Sequence, residues 1–255
     1  MKIAIVQHTI RYNDVPCNLQ HLKALMHQHA GADVYVLAET FATGFLAEGS
    51  AEQAGPQSEQ ILAWMQQQAS ALNAAVAGSV ATRDAEGRLR NRLYFVRPDG
   101  TFDYYDKRHL FSYAGETRDY VAGSRRVVVS WRGVRFLLQV CYDLRFPVFS
   151  RSRGDYDAII YVANWPAKRS VAWQSLLVAR AIENQCFVVG VNRVGSDAAC
   201  QYAGGSVVHN AYGDVIAQCA PGVEAVAVCQ LDMAALERFR HKFPVLADAD
   251  TFTCA

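Results

Sequence analysis

The sequence has no apolar run approaching the ~18 residues that a membrane-spanning helix requires. Its first residues, MKIAIVQHTI, hold too short an apolar stretch for a signal peptide and lack a small-residue cleavage site. There is no excess of either charge: a formal net charge of +1 with scattered basic residues leaves no electrostatic footprint for nucleic acid or an anionic membrane. The seven cysteines (Cys17, Cys141, Cys186, Cys200, Cys219, Cys229, Cys254) are odd in number, irregularly spaced and without a CxxC. That speaks against a disulfide framework or a zinc knuckle and for free thiols in a reducing compartment. A cytoplasmic location, with neither membrane nor nucleic acid as partner, is expected. No Pro/Ser/Gly-rich linker, composition break or internal repeat divides the 255 residues, so residues 1–255 are expected to form one domain. GxSxG, HExxH, GxxxxGK[ST] and a strand-linked GxGxxG are all absent, which removes the commonest hydrolase, metalloprotease and nucleotide-binding signatures.

What is present is a core-forming chain, 51% hydrophobic and 19% charged. Apolar runs rich in Val and Ile predict strands at 2–8, 34–39, 75–81, 93–98, 101–106, 126–131, 134–140, 158–163, 186–191, 204–210, 213–219 and 224–231. Helical spacing predicts helices at 18–29, 58–72, 170–185 and 233–243. Hairpin signals PDG, RG and YGD join neighbouring strands. Crossovers mixed with hairpins predict an α/β fold of mixed sheets with helices outside.

The stretch LLQVCYDLRFPV, 137–148, raises the question of chemistry, because an apolar strand ends in Cys141 and turns at once into polar residues. A cysteine there is more often a small packing residue than a nucleophile. The exposed end of a strand is nevertheless where sites collect in α/β folds. A thiol needs a base or a positive neighbour to react. His209 followed by Asn210 invites a Cys-His-Asn reading, and His109 is a second histidine, yet neither has an orienting surround in the sequence. Glu39 is a stronger base, since a carboxylate released at the end of the apolar run VYVLAE is costly unless solvated or employed. Lys107 follows TFDYYD in the same way, and Glu116 lies in the loop beyond it. Each alone reads as a surface or loop charge.

Together, LAETFATGF, YYDKRHLF and VCYDLRFP resemble the three motif blocks of the nitrilase (carbon–nitrogen hydrolase) superfamily, in the family's order of glutamate, lysine and cysteine. The resemblance extends from KIAIVQ to the final strand. It implies a four-layer αββα sandwich of two mixed sheets with helices outside, and a catalytic set Glu39, Lys107 and Cys141, with Glu116 as the auxiliary glutamate. YDKRHLF, CYDLRFPVFSR and ANWP are most similar to the ω-amidase branch, whose substrates are terminal amides of 2-oxo-dicarboxylic acids such as 2-oxoglutaramate and 2-oxosuccinamate. It further implies no metal or organic cofactor and a homodimer or larger homo-oligomer, with 147–153 and 168–184 at the contact.

On this reading the backbone N–H of Tyr142 joins Lys107 at the oxyanion. Arg145 either clamps a substrate carboxylate or pairs structurally with Asp143 or a neighbouring acid. Trp165 and Phe45 either wall the pocket or pack in the core. The alternatives are another superfamily enzyme (a nitrilase, a carbamoylase or a deaminated-glutathione amidase) and a catalytically silent binding subunit on the same fold.

Overall fold

The computed structural model describes residues 1–45 and 54–253; Cys254, expected as a reduced thiol, lies outside them. Two six-stranded sheets form the centre. The first holds β1 (Lys2–Gln7), β2 (Val34–Val36), β3 (Ala75–Arg83), β4 (Leu89–Val96) and β5 (Phe102–Asp106), in the order β14-β1-β2-β3-β4-β5 with β14 (Ala225–Gln230). The second holds β6 (Val128–Trp131), β7 (Val134–Val140), β8 (Ala158–Ala163), β9 (Phe187–Asn192), β12 (Val207–His209) and β13 (Val215–Gln218), in the order β13-β12-β9-β8-β7-β6. A small hairpin, β10 (Val194–Ser196) with β11 (Gln201–Ala203), stands apart. Each large sheet has three parallel strands at its centre, β1-β2-β3 and β7-β8-β9, flanked by antiparallel pairs.

Side-chain alternation decides the layering. On β1, Ile3 and Ile5 enter a core shared with Leu138, Val140, Ile160 and Val162 of the other sheet. Ala4 and Val6 face the opposite way, into a cluster with Leu19, Leu22 and Met26 of α1 (Val15–Gln28) and Ile61 and Met65 of α2 (Ala54–Leu72). On the second sheet, Leu137, Ile159 and Tyr161 turn outward against Trp173, Leu177 and Ala181 of α5 (Ser170–Asn184). The result is helices, sheet, sheet, helices, as the resemblance implied. Short helices α3 (Glu116–Asp119) and α4 (Pro147–Ser150) and the later α6 (Met233–Lys242) complete the order.

Several boundaries differ from expectation, among them a second strand that ends at Val36 and an α2 that begins at Ala54, and two have plain local reasons. Helix α1 begins three residues early because Asp14 caps it, accepting from Cys17 N at 3.2 Å, with Pro16 in the first turn. The strand expected over 204–210 shrinks to Val207–His209 because Gly204 and Gly205 take φ of +72° and +80°, outside the β region. The hairpin of β10 and β11 carries no long apolar run and was not anticipated. Among the described residues, no helix is long and apolar enough to cross a membrane.

Candidate active site

The chemistry-bearing residues emerge from the carboxyl ends of the strands. Cys141 follows Val140 of β7 directly, Asn164 follows Ala163 of β8, Lys107 follows Asp106 of β5, and Glu39 lies three residues beyond Val36 of β2. This is the end at which sites form in parallel α/β sheets. Lys107 is placed by backbone on both sides. Its N–H donates to Asn91 O at 2.9 Å, and its carbonyl accepts from Gly123 N at 2.9 Å. Gly123 is required there, since a Cβ would sit 2.1 Å from the Asp106 carbonyl oxygen.

Glu39, Lys107 and Glu116 form one buried network, none more than 2% exposed. The Lys107 ammonium donates to Glu39 Oε1 at 3.0 Å and to both oxygens of Glu116 at 3.0 and 2.8 Å. Asn91 Nδ2 spans the two carboxylates, donating to Glu39 Oε1 at 2.8 Å and Glu116 Oε1 at 3.2 Å. The remaining oxygens are also held, Glu39 Oε2 by Asn164 N at 2.8 Å and Glu116 Oε2 by Phe111 N at 2.5 Å. Burial alone would strip the proton from Lys107, but the adjacent charges of Glu116 and Glu39 outweigh it and hold the ammonium well above its ordinary range.

Cys141 has φ of +46°, a left-handed conformation that is strained for a residue with a side chain. The strain is held by Asp143, whose Oδ2 accepts from Val140 N at 2.9 Å and from Tyr105 OH at 2.8 Å, while Oδ1 accepts from His109 N at 2.9 Å. The turn carrying the cysteine is thereby tied to the loop after Lys107. Burial and the negative charge of Glu39 push the Cys141 thiol well up, against a smaller pull from Lys107. The resting group is a neutral thiol beside the Glu39 carboxylate, which suits deprotonation by a general base during attack.

Glu39, Lys107, Glu116 and Cys141 open onto a cavity of about 420 Å³, within the range of small-molecule sites. Phe45 lines it, as do Phe111, Pro166 and Arg169. The loop between β10 and β11, Asp197–Cys200, supplies another wall. Two residues expected as a possible pocket wall or clamp, Trp165 and Arg145, lie elsewhere. Trp165 is buried behind the wall, its Nε1 donating to Arg169 O at 2.8 Å. The Tyr142 ring packs on Phe111 and Phe146, at centroid distances of 4.9 and 5.1 Å, outside the cavity lining. Arg145 is exposed, its guanidinium carbon 5.0 Å from the Trp165 ring, and neither lines the cavity nor pairs with Asp143.

His109 stacks on Phe146 at 4.0 Å and binds Asp143, and His209 bonds Gly213 O at 2.9 Å, so neither histidine lines the cavity. Asn210 binds Asp214. Asn91, Asp143, Asn164 and Arg169 are the residues the sequence reasoning missed. The polar Asn91 within LRNRLYFV and Asn164 at the end of the apolar run AIIYVA were the available signals.

A two-sheet αββα sandwich presenting a buried Glu-Lys-Glu network beside a strand-end cysteine defines a hydrolase of carbon–nitrogen bonds. The chain belongs to the carbon-nitrogen hydrolase family, whose sequence model matches residues 2–241. It is 48% identical over 254 residues to the omega-amidase YafV of Escherichia coli K12, covering 99% of this chain and 98% of that protein. It is 32% identical to the 2-oxoglutaramate amidase of Bacillus subtilis strain 168, covering 96% of each. The crystal structure of XC1258 from Xanthomonas campestris, described as a CN-hydrolase superfamily protein with an arsenic adduct in the active site, superposes with a TM-score of 0.96 at 42% identity, covering 100% of this chain and 99% of that one. The protein is an enzyme of the amidase kind within the nitrilase superfamily.

Proposed function

We propose that the protein hydrolyses the terminal amide of 2-oxo-dicarboxylic acid monoamides, 2-oxoglutaramate and 2-oxosuccinamate, to the acid and ammonia through a thioester on Cys141. The observation that carries this reading is that Cys141 opens onto the same cavity as the buried Glu39–Lys107–Glu116 network. Glu39 accepts the thiol proton as sulfur attacks the amide carbonyl. The tetrahedral oxyanion is stabilised by the Lys107 ammonium and the backbone N–H of Tyr142, an arrangement in which one donor is typically worth ~10²–10³ in rate. Glu39 returns the proton to the departing ammonia, the thioester forms, and Glu39 then deprotonates the water that cleaves it. Glu116 keeps Lys107 charged and aimed.

The names carried by the similar proteins support an anionic ω-amide as substrate. The single domain works as a homodimer or larger assembly, a reading supported by Val148, Val171 and Ile182, which leave 55%, 77% and 51% of their surface exposed on α4 and α5.

The test is ammonia release from 2-oxoglutaramate, 2-oxosuccinamate, an uncharged amide of similar length, a nitrile and a carbamoyl compound, with Cys141→Ala as the control. Turnover of the two oxo-amides, lost in the variant, is expected. Preference for the nitrile or the carbamoyl compound moves the enzyme to another branch of the superfamily, and no turnover of any of them leaves a silent scaffold.

A further inference from the structure

The cavity contains more negative than positive side chains. Glu39 and Glu116 share the one charge of Lys107. Asp197, on the far wall, is occupied by its own turn, accepting from Ala199 N at 2.9 Å, Cys200 N at 2.8 Å and Tyr202 OH at 2.6 Å. A substrate carboxylate entering such a space is repelled by the inner carboxylates unless a free cation receives it. Arg169 is the cavity-lining cation that makes no ion pair with any described residue.

Its guanidinium carbon lies 5.2 Å from the centre of the Phe111 ring, within cation–π range, so the fork rests on an apolar shelf and donates to no described residue. The shelf is fixed to the catalytic network, because Phe111 N is the donor that holds Glu116 Oε2. The arginine backbone is fixed too, its carbonyl accepting from Trp165 Nε1 at 2.8 Å and its N–H donating to Pro166 O at 2.9 Å.

We propose that Arg169, resting on Phe111, is the specificity-determining residue of this site and binds the carboxylate that an ω-amide substrate carries at the end remote from its scissile amide. The proposal rests on the amidase reading above and replaces Arg145, which is exposed and does not line the cavity, as the clamp. A guanidinium pairs with a planar carboxylate through two parallel N–H bonds, whereas a neutral amide offers it nothing comparable. The same cation gives no help to a nitrile or an uncharged amide, so it selects for the anion without taking part in the bond-breaking step.

The experiment compares kcat/KM for 2-oxoglutaramate with that for an uncharged amide of equal chain length, in wild type, Arg169→Leu, Arg169→Lys and Arg145→Ala. In Arg169→Leu the ratio is expected to fall roughly tenfold to a hundredfold, the span of a charge-assisted hydrogen bond. The loss is expected in KM more than in kcat, with partial recovery in Arg169→Lys. Binding of the 2-oxo-dicarboxylate product to Cys141→Ala, measured by calorimetry with and without Arg169→Leu, is expected to weaken by a similar factor. A ratio that survives Arg169→Leu while wild type prefers the anion overturns the clamp alone, as does a ratio lost in Arg145→Ala and kept in Arg169→Leu. An equal fall on both amides marks Arg169 as structural and also overturns the clamp. A wild type with no preference for the anion overturns the ω-amide reading and the clamp with it.

Discussion

Replacing Glu39 with glutamine separates two properties of Cys141 that are usually lost together. Both carboxylate oxygens of Glu39 accept hydrogen bonds, Oε1 from Lys107 Nζ at 3.0 Å and Asn91 Nδ2 at 2.8 Å, Oε2 from Asn164 N at 2.8 Å. A glutamine has one acceptor, and its NH₂ faces a donor in either orientation, so the side chain cannot reproduce the network. It also cannot take the thiol proton or deliver one to ammonia, and loss of a general base typically costs ~10²–10⁴ in rate.

The thiol itself responds in the opposite direction. After burial, the charge of Glu39 is what holds the proton on Cys141, while Lys107 pulls toward the thiolate. A unit charge at roughly 4 Å in an effective dielectric of about 20 is worth about 4 kcal/mol, and removing it leaves Lys107 unopposed from that side. Only about 1.4 kcal/mol of that is needed for a tenfold change in thiolate population. Glu39→Gln is therefore expected to lose at least a hundredfold in ammonia release at pH 7 while Cys141 is alkylated by iodoacetamide at least tenfold faster, followed by mass spectrometry of the Cys141 peptide. Turnover within tenfold of wild type would refute the base assignment. Alkylation slower than wild type would refute the electrostatic argument, because it would mean that Glu39 generates the reactive thiolate rather than suppressing it.

Lys107→Ala leaves Glu39 and Glu116 facing each other in a buried space without their cation; a loss of about 3–5 kcal/mol in denaturant unfolding and of roughly 10²–10³ in kcat is expected, and a variant of wild-type stability would contradict the network. Asn91→Leu keeps the backbone bond to Lys107 but removes the amide that spans both carboxylates, so kcat is expected to fall roughly tenfold to a hundredfold with KM little changed; steady-state kinetics showing the reverse would make Asn91 a substrate contact. His8 is fully buried, and burial lowers its pKa to about 4 against the partial opposition of a bond to the Phe41 carbonyl. The unfolded chain binds that proton below pH ~6.5 and the folded one does not, so the contribution is complete above pH 6.5 and falls away toward pH 4, by about 3 kcal/mol. The urea midpoint of wild type should therefore drop more steeply between pH 7 and 5 than that of His8→Gln, and parallel curves would exclude the histidine as the cause.

Much of the fold could be read from the chain because both sheets keep their central strands buried on two faces. Such strands appear as unbroken apolar runs: AIIYVA and VRFLLQV match β8 and β7 residue for residue. What sequence patterning underdetermined was the assignment of alternate residues to the inter-sheet core or to a helix layer, since Ile159 and Ile160 look the same in the chain and face opposite ways. The layer count came from the resemblance. The hairpin of β10 and β11 was invisible for the converse reason: VGS and QYA bury little, and pairing alone makes them strands.

The site divides along the same physical line. Glu39, Lys107 and Cys141 are each polar or reactive groups released at the end of an apolar strand, where burial without a use would be costly, but it was the resemblance that joined them into one set. Arg169 had no such mark. It stands in a polar stretch, KRS, at the start of a helix, where an arginine is ordinarily a solvated surface charge. Arg145 looked better because it is four residues from Cys141. Sequence distance is a poor guide here, since the turn that Asp143 holds leaves residue 145 exposed beside the Trp165 ring, and Trp165 in turn fixes the backbone of residue 169 against the cavity wall. The tryptophan expected to wall the pocket instead touches both arginines, Arg145 through its ring and Arg169 through its Nε1, so Trp165→Phe, which keeps an aromatic ring and deletes the donor to Arg169 O, is expected to raise KM for the anionic amide while leaving its kcat nearly unchanged. A Trp165→Phe enzyme whose KM for 2-oxoglutaramate equals that of wild type would show that Arg169 holds its place on Phe111 without the anchor.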